Sequence, residues 1–406
     1  MKDTRVKKLL AAEKKRQQSV VNLVASENYV SDDVLEALGT ETTNKYAEGY
    51  SGARYYGGNE IIDQIEDLAC ERALKLFKLN PKKWGVNVQP HSGSPANIAV
   101  YSALVPKGGK IMGMSLDHGG HLTHGHGVSF SGKFWEQIPY GVDKKTEKLD
   151  YDALIKIAKK EKPDIVVAGF SAYPRKINFK KMRAVADAAG AYLMVDMAHI
   201  SGLIAGGQHP SPFNYADIVT TTTHKVLRGP RGGMIFARHD YGIGKKAPKV
   251  KKGAKQKMAP TLFQQIQKSV FPGMQGGPHM NQIAALAVAL KEADSVSFNK
   301  YTQQVVKNSK ALAGELKKLG WRITSGGTDN HVFLMDVWKE GITGKEASTK
   351  LEKEGIIVNM NTIPFDTRSP FNPSGLRLGT AAETTRGKKE KDMITLAHRI
   401  NDILRA

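Results

Sequence analysis

Asp217-Ile218-Val219-Thr220-Thr221-Thr222-Thr223-His224-Lys225, running on into Val226-Leu227-Arg228-Gly229-Pro230-Arg231-Gly232-Gly233, is the stretch that decides the fold. Its first part is a short β-branched strand, and Lys225 is expected where that strand ends, before a loop rich in glycine and proline. Upstream, Ala191-Tyr192-Leu193-Met194-Val195 is an apolar run closed by a carboxylate, Asp196, with His199 just beyond. Side by side in a parallel sheet, these runs deliver Asp196 and Lys225 to one carboxyl edge, where open α/β sheets bind ligands. A lysine able to form a Schiff base, with an acidic partner for a pyridine nitrogen, is the pair that pyridoxal phosphate needs. The carboxylate keeps the ring nitrogen protonated, so the ring can take up electrons when a bond to the substrate Cα breaks.

The neighbouring segments extend that sheet. Residues 164–171 and 233–237 read as further strands, and Phe179 to Ala189 as a helix closed by Gly190. Strands alternating with helices argue a mostly parallel sheet covered on both faces, with Ser171, Asp196 and Lys225 at successive carboxyl ends. In Ser92-Gly93-Ser94-Pro95-Ala96-Asn97, Ser94 is expected to cap a helix that has Pro95 in its first turn and runs to Leu104. Unpaired N–H groups beside small hydroxyls at that end make a phosphate seat. The Lys110 to Met114 strand delivers a loop carrying His118, His121, His124 and His126. No patterned carboxylate accompanies them and glycines surround them, which favours an imidazole stacked on a flat ring over a metal site.

Toward the ends the chain changes character. Thr4 to Gln18 reads as a basic helical arm that ends before 20–24, and Ser31 as the cap of a helix that Gly39 stops after Leu38. Residues 44–58, with Tyr46, Tyr50, Tyr55 and Tyr56 among glycines, follow neither the helical nor the strand period and are expected to form a contact loop. It suits a subunit interface, a ligand, or both. Ile61 to Phe77 is an amphipathic helix, 271–278 a turn-rich loop, and 281–293 a further helix. A long helix over 297–319 leads into a smaller domain, with strands at 332–337 and 356–358 and a helix over 344–353. In Ser374-Gly375-Leu376-Arg377-Leu378-Gly379-Thr380, expected as an apolar edge strand, Arg377 suits bidentate capture of an amino-acid carboxylate or a surface ion pair. The expected division is an arm over 1–50, a large cofactor-binding domain over 51–290 and a small domain over 291–406.

The totals narrow the class. The 406 residues suffice for a large core and a second domain, and no apolar run is long enough to cross a bilayer. Cys70 is the only cysteine, which rules out an internal disulfide and a cysteine zinc cluster. With no signal-peptide apolar region behind Met1–Lys8, a reducing cytoplasm is the expected location. The formal charge of +21 is unusual, yet the lysines are scattered rather than gathered into a nucleic-acid motif, so no nucleic-acid role is expected. Their densest run, 239–258, has almost no apolar content and reads as a surface loop.

Several stretches together carry a resemblance. Ala25–Val30 (ASENYV), Asn44–Gly58 (NKYAEGYSGARYYGG), Gly119–Gly125 (GGHLTHG), Val195–Ala205 (VDMAHISGLIA), Thr220–Gly233 (TTTTHKVLRGPRGG) and Ser325–His331 (SGGTDNH) resemble serine hydroxymethyltransferases, in the family's order and over nearly the whole chain. The resemblance implies an α/β, aspartate-aminotransferase-like fold of pyridoxal-phosphate type I. It implies transfer of the serine hydroxymethyl group to tetrahydrofolate, giving glycine and 5,10-methylenetetrahydrofolate. By the same resemblance Lys225 forms the Schiff base, Asp196 meets the pyridine nitrogen, His121 stacks on the ring, and His199 and Ser171 lie near its phenolic oxygen. Ser92, Gly93 and Ser94 hold the phosphate, joined by Tyr46, Gly276 and Gly277 of a second subunit in a homodimer or homotetramer. His224 is similar to a residue that influences specificity. Ser26 and Arg377 match the substrate-carboxylate site, and Glu48 and Tyr56 the acid/base and positioning pair. Folate contacts are implied for Leu116, Gly120, His121, Leu122, Asn361, Ser369, Pro370 and Phe371.

Two departures from the family pattern stand out, and the one-carbon acceptor is left open by the resemblance. The lysine-rich insertion over 244–259 is longer than in many bacterial members, Asn281 stands where histidine is frequent, and some archaeal relatives use a modified pterin in place of folate. The alternative activity is a folate-independent aldolase acting on threonine or other 3-hydroxy amino acids.

Overall fold

The computed structural model describes residues 1–247 and 258–406, so half of the lysine-rich loop expected over 239–258 lies outside the described residues. The chain gathers into two compact units: Asn28–Ser171 with Lys176–Gln303, and Met1–Glu27 with Ala172–Arg175 and Gln304–Ala406.

The first unit is built on a seven-stranded sheet. Its order is Trp84–Asn87, Gly233–Arg238, Ile218–Thr222, Tyr192–Asp196, Ile165–Gly169, Lys110–Met114, Glu136–Tyr140. Gly233–Arg238 runs antiparallel to both of its neighbours, and the other pairings are parallel. Central parallel strands are covered on both faces, and Ile165–Gly169 and Ile218–Thr222 are accordingly buried at every position. The Gly93–Leu104 helix lays Ala96, Ile98, Ala99 and Val100 against Ile111, Ile165, Met194 and Ile218. Each branched side chain buried there is worth about 1.5–3 kcal/mol. Phe179–Ala189 forms the expected covering helix, with the Asn178 side chain accepting from the Lys181 N–H and Gly190 ending it at φ 66°.

Three local expectations for this unit change. The strand leading to Lys225 stops at Thr222, which leaves the lysine in the turn beyond. Ser92, not Ser94, is the helix cap, because Ser92 has the extended backbone and Gly93 opens the helix. Pro95 is still tolerated in that first turn, where an N–H has no helical partner to lose. The tyrosine loop is not irregular throughout, since Gly49–Tyr50 pairs antiparallel with Ala53–Arg54. Gly49 is required in that hairpin: its φ is +95°, and a Cβ there would sit 2.4 Å from the Ala53 carbonyl oxygen. The turn-rich loop does begin at Phe271, where the backbone leaves helical geometry (φ −132°, ψ 129°) within the π-type turn Ser269–Met274 that follows the Leu262–Lys268 helix.

The second unit has a four-stranded antiparallel sheet in the order Arg322–Ile323, Val332–Asp336, Gly375–Gly379, Asn359–Asn361. Arg377 therefore lies on an inner strand rather than at the edge. Side chains alternate across a strand, so Leu376 and Leu378 go into the core while Arg377 faces the other way. That core also holds Trp321, Phe333, Met335 and Leu23. Beyond the arm, Val21–Asn22 forms a short strand paired parallel with Ile356–Ile357. The Thr4–Ser19 helix, capped by Asp3, buries none of its residues. Among the described residues no helix is long and apolar enough to cross a membrane.

Candidate active site

The strand register places the central pair. Asp196 closes its strand opposite Thr220, and Gly169 lies opposite Asp196 on the other side. Ser171, Asp196 and Lys225 thus follow the carboxyl ends of three adjacent parallel strands. Lys225 is 9% exposed, and its carbonyl accepts hydrogen bonds from Asn28 Nδ2 at 2.9 Å and from the Arg228 N–H at 3.0 Å. Asn28 Nδ2 also donates to the Tyr301 hydroxyl at 2.8 Å, and the Arg228 guanidinium lies 4.5 Å over that ring.

Asp196 is held as an anion by neighbours that sequence reasoning missed. Its Oδ2 accepts from Asn97 Nδ2 at 2.9 Å and lies 3.0 Å from His124 Nε2, while Oδ1 accepts from the Ala198 N–H at 3.0 Å. Burial alone pushes this carboxyl up, but the hydrogen bond to His124, the nearby imidazole charges and the Asn97 bond outweigh it, so its pKa falls well below the usual carboxylate range. Asn97 also donates to Thr123 Oγ1 at 2.9 Å, which lies 2.7 Å from His121 Nδ1. The ring-stacking candidate and the carboxylate are therefore linked through one chain of polar contacts. His199 is buried beside this strand end, and Ser171 donates its N–H to the Gly119 carbonyl at 2.7 Å.

At the end of the Gly93–Leu104 helix, Ser92 makes no capping bond with its side chain and the first turn carries no acidic residue. Both features leave the terminus open to an anion, which the helix dipole favours. A Cβ on Gly93 would approach Thr222 Cγ2 to 2.6 Å, so glycine lets this helix end close on the strand that leads to Lys225. Next to the lysine, burial first, and then the charges of Lys225 and Arg231, pull the His224 pKa down to about 3. His224 is a neutral imidazole at physiological pH.

The tyrosine loop assembles its own group. Tyr46 and Tyr56 meet edge to face at 5.4 Å, and Tyr56 is raised above the ordinary phenol pKa chiefly by the charge of Glu48. Gly277 lies against the Tyr46 ring, and a Cβ on Gly276 would be 3.1 Å from Glu48 Oε1. Glu48, Tyr46, Tyr56, Gly276 and Gly277 are thus brought to one place.

In the other unit, Arg377 donates from Nε to Asn359 Oδ1 at 3.0 Å, and burial lowers its pKa to about 10. It remains cationic, and a bound carboxylate would offset the cost of its burial. A Cβ on Gly379 would meet Ala25 Cα at 2.4 Å, which brings Ser26 to the same strand as Arg377. Asn361 Nδ2 donates to the Thr362 carbonyl at 2.6 Å, Ser369 Oγ accepts from the Phe371 N–H at 3.3 Å, and Phe371 is exposed. In the first unit, Leu116 opens a short 3₁₀ turn, Gly120 packs against the Met114 carbonyl, and Leu122 is exposed. Asn281 takes a structural role, donating to the Leu38 carbonyl at 3.0 Å.

A buried lysine, a carboxylate locked in its charged form and an open helix terminus at one sheet edge are what a phosphorylated pyridine aldehyde requires. The family model described as serine hydroxymethyltransferase matches residues 1–400 of the chain. The chain belongs to the serine hydroxymethyltransferase family. It is a pyridoxal-phosphate enzyme of fold type I, with the cofactor bound as a Schiff base and tetrahydrofolate as co-substrate. It transfers the serine hydroxymethyl group to tetrahydrofolate and releases glycine.

Proposed function

We propose that Lys225 is the Schiff-base lysine of this glycine hydroxymethyltransferase and that Asp196 holds the pyridine N–H. The observation that carries this reading is the register of Asp196 against Thr220, on the strand that feeds Lys225. When bound, the cofactor supplies a conjugated ring that accepts the electron pair of the breaking Cα–Cβ bond. The protein's part is to position and to move protons. Ser92, Gly93 and Ser94 seat the phosphate, His121 covers the ring, and Ser171 and His199 hydrogen-bond its phenolic oxygen. Arg377, with Ser26, grips the substrate carboxylate bidentately. Glu48 exchanges a proton at the serine hydroxyl oxygen, with Tyr56 orienting the substrate. His224, neutral beside the lysine, shapes the side-chain pocket without adding a charge. Leu116, Gly120, Leu122, Asn361, Ser369, Pro370 and Phe371 serve the folate.

The active enzyme in this reading is a cytoplasmic homodimer or larger assembly, in which Tyr46, Gly276 and Gly277 reach the phosphate of a second copy. Support for the assembly comes from the clustering of these residues with exposed tyrosines. Residues 1–50, 51–290 and 291–406 then act as arm, cofactor-binding region and small domain. The test is a visible absorbance spectrum of purified protein, with glycine formation from serine measured with and without tetrahydrofolate. Wild type is expected to carry the absorbance of lysine-bound cofactor and to depend on folate, and Lys225→Ala to lose both the absorbance and turnover. Full turnover by Lys225→Ala would sink the assignment, and a monomer in sedimentation would sink the shared site.

A further inference from the structure

The hairpin that presents Glu48 rests on a buried polar cluster that the reaction described above does not use. Arg54 is its centre, with a side chain 4% exposed. Its Nε donates to Asp63 Oδ1 at 2.7 Å and its Nη2 to Glu66 Oε2 at 2.5 Å. The remaining nitrogen, Nη1, donates to the Ala47 carbonyl at 2.9 Å and the Gly49 carbonyl at 3.0 Å. These carbonyls flank Glu48, whose own carbonyl accepts from the Tyr55 N–H at 2.9 Å. Gln89 closes the lattice, with Nε2 donating to the Gly49 carbonyl at 2.9 Å and to Glu66 Oε1 at 2.8 Å. The Gln89 carbonyl in turn accepts from Gln275 Nε2 at 2.9 Å, next to the Gly276 that borders the Glu48 carboxylate.

The Ala47 and Gly49 carbonyls are therefore captured by the buried cluster and the Glu48 carbonyl by the Tyr55 N–H across the hairpin, while the Glu48 carboxylate leaves on the side of Tyr56 and Gly276. We propose that Arg54, fixed by Glu66, Asp63 and Gln89, is a positioning residue that aims Glu48 at the reacting hydroxyl. This deepens the reading of Glu48 given above and rests on it. A guanidinium suits the task because its planar fork directs separate N–H bonds to two carboxylates and two carbonyls. A lysine ammonium keeps the charge but cannot reproduce that fork. Misplacing a proton-transfer group by about 1 Å is worth about 100-fold in rate.

The experiment is a double-mutant cycle on the holoenzyme, comparing wild type, Arg54→Lys, Glu48→Gln and the double variant for serine turnover with tetrahydrofolate. Arg54→Lys is expected to lower kcat about 10- to 100-fold with KM for serine within about threefold, and to shift the acid limb of the pH profile. In the Glu48→Gln background the same change is expected to cost nothing further. Gln89→Met, which removes a donor from the same lattice, is expected to repeat the pattern more weakly and decides the question if Arg54→Lys does not fold. Equal losses in both backgrounds would assign the cluster to folding or assembly and overturn the proposal, as would undiminished kcat in both Arg54→Lys and Gln89→Met. Undiminished kcat in Glu48→Gln would instead remove Glu48 from the reaction, a separate failure of the underlying reading.

Discussion

Replacing His124 with leucine tests whether the charge on Asp196 is what selects the ring. The carboxylate has polar neighbours at 2.9 Å, 3.0 Å and 3.0 Å, from Asn97, His124 and Ala198. Among these, His124 is the one that adds imidazole charge as well as a hydrogen bond. A hydrogen bond to a charged group contributes about 1.5–3 kcal/mol, which is about 1–2 pKa units or about 10- to 100-fold in affinity. The assay is titration of apo-protein with pyridoxal phosphate and with an analogue carrying carbon in place of the ring nitrogen. Wild type is expected to favour the nitrogen ring, and His124→Leu to shrink that preference about 10- to 100-fold, while His124→Gln, which keeps a donor, recovers part of it. A second readout follows from the sign of the shift. Asp196 is depressed in the folded state, so its stabilisation is present above the ordinary carboxylate pKa and is lost as pH falls through the folded value. Apo His124→Leu is therefore expected to begin acid unfolding at higher pH than wild type. An unchanged preference for the nitrogen ring together with an unchanged acid limb would refute the reasoning.

Arg377→Ala is expected to raise KM for serine about 30- to 5,000-fold, the loss of a buried charged pair worth about 2–5 kcal/mol, with a smaller change in kcat; steady-state kinetics checks it, and an unaltered KM counts against the carboxylate clamp. His224 is depressed from 6.5 to about 3, so the folded apo-protein binds fewer protons than the unfolded chain between those values and loses stability as pH falls through that window. The loss between pH 7 and pH 5 is about 2 kcal/mol, and urea titrations at those pH values should show it disappear in His224→Asn. Gly93→Ala, which would drive a Cβ to 2.6 Å from Thr222 Cγ2, is expected to cost about 1–3 kcal/mol of stability and to weaken cofactor binding; wild-type melting and affinity would show that the helix end has room to retreat.

The sheet was legible because each strand announced itself locally. The β-branched run before Lys225 and the apolar run before Asp196 specify neighbouring parallel strands, and the register of Asp196 on Thr220 follows. What could not be read was which of several similar groups each charge would find. His121 and His124 belong to the same GGHLTHG stretch, and nothing local separates them. The fold does, since Asn97, one turn into its helix, reaches both Thr123 and Asp196 and leaves room for His124 on the carboxylate. Likewise Arg377 looked like an edge residue because the strand that covers it, Asn359–Asn361, is too short to be announced by periodicity.

The cluster under Glu48 belongs to a third class, missed but carrying a usable signal. In the Glu60–Leu76 helix the buried positions are Ile62, Glu66, Ala69, Ala73 and Leu76, spaced at helical intervals, so Glu66 stands within the apolar stripe. A carboxylate there is costly to bury unless a cation and further donors meet it. That requirement predicts a buried basic partner before any coordinates exist, and a short hairpin immediately upstream supplies Arg54. Its burial cannot be explained by the ion pair alone, because two such charges in the interior seldom stabilise more than apolar residues of the same volume. The bonds to Ala47 and Gly49 give the arginine a reason to be there that the ion pair does not: they fix the backbone on either side of Glu48, the residue we propose exchanges the proton.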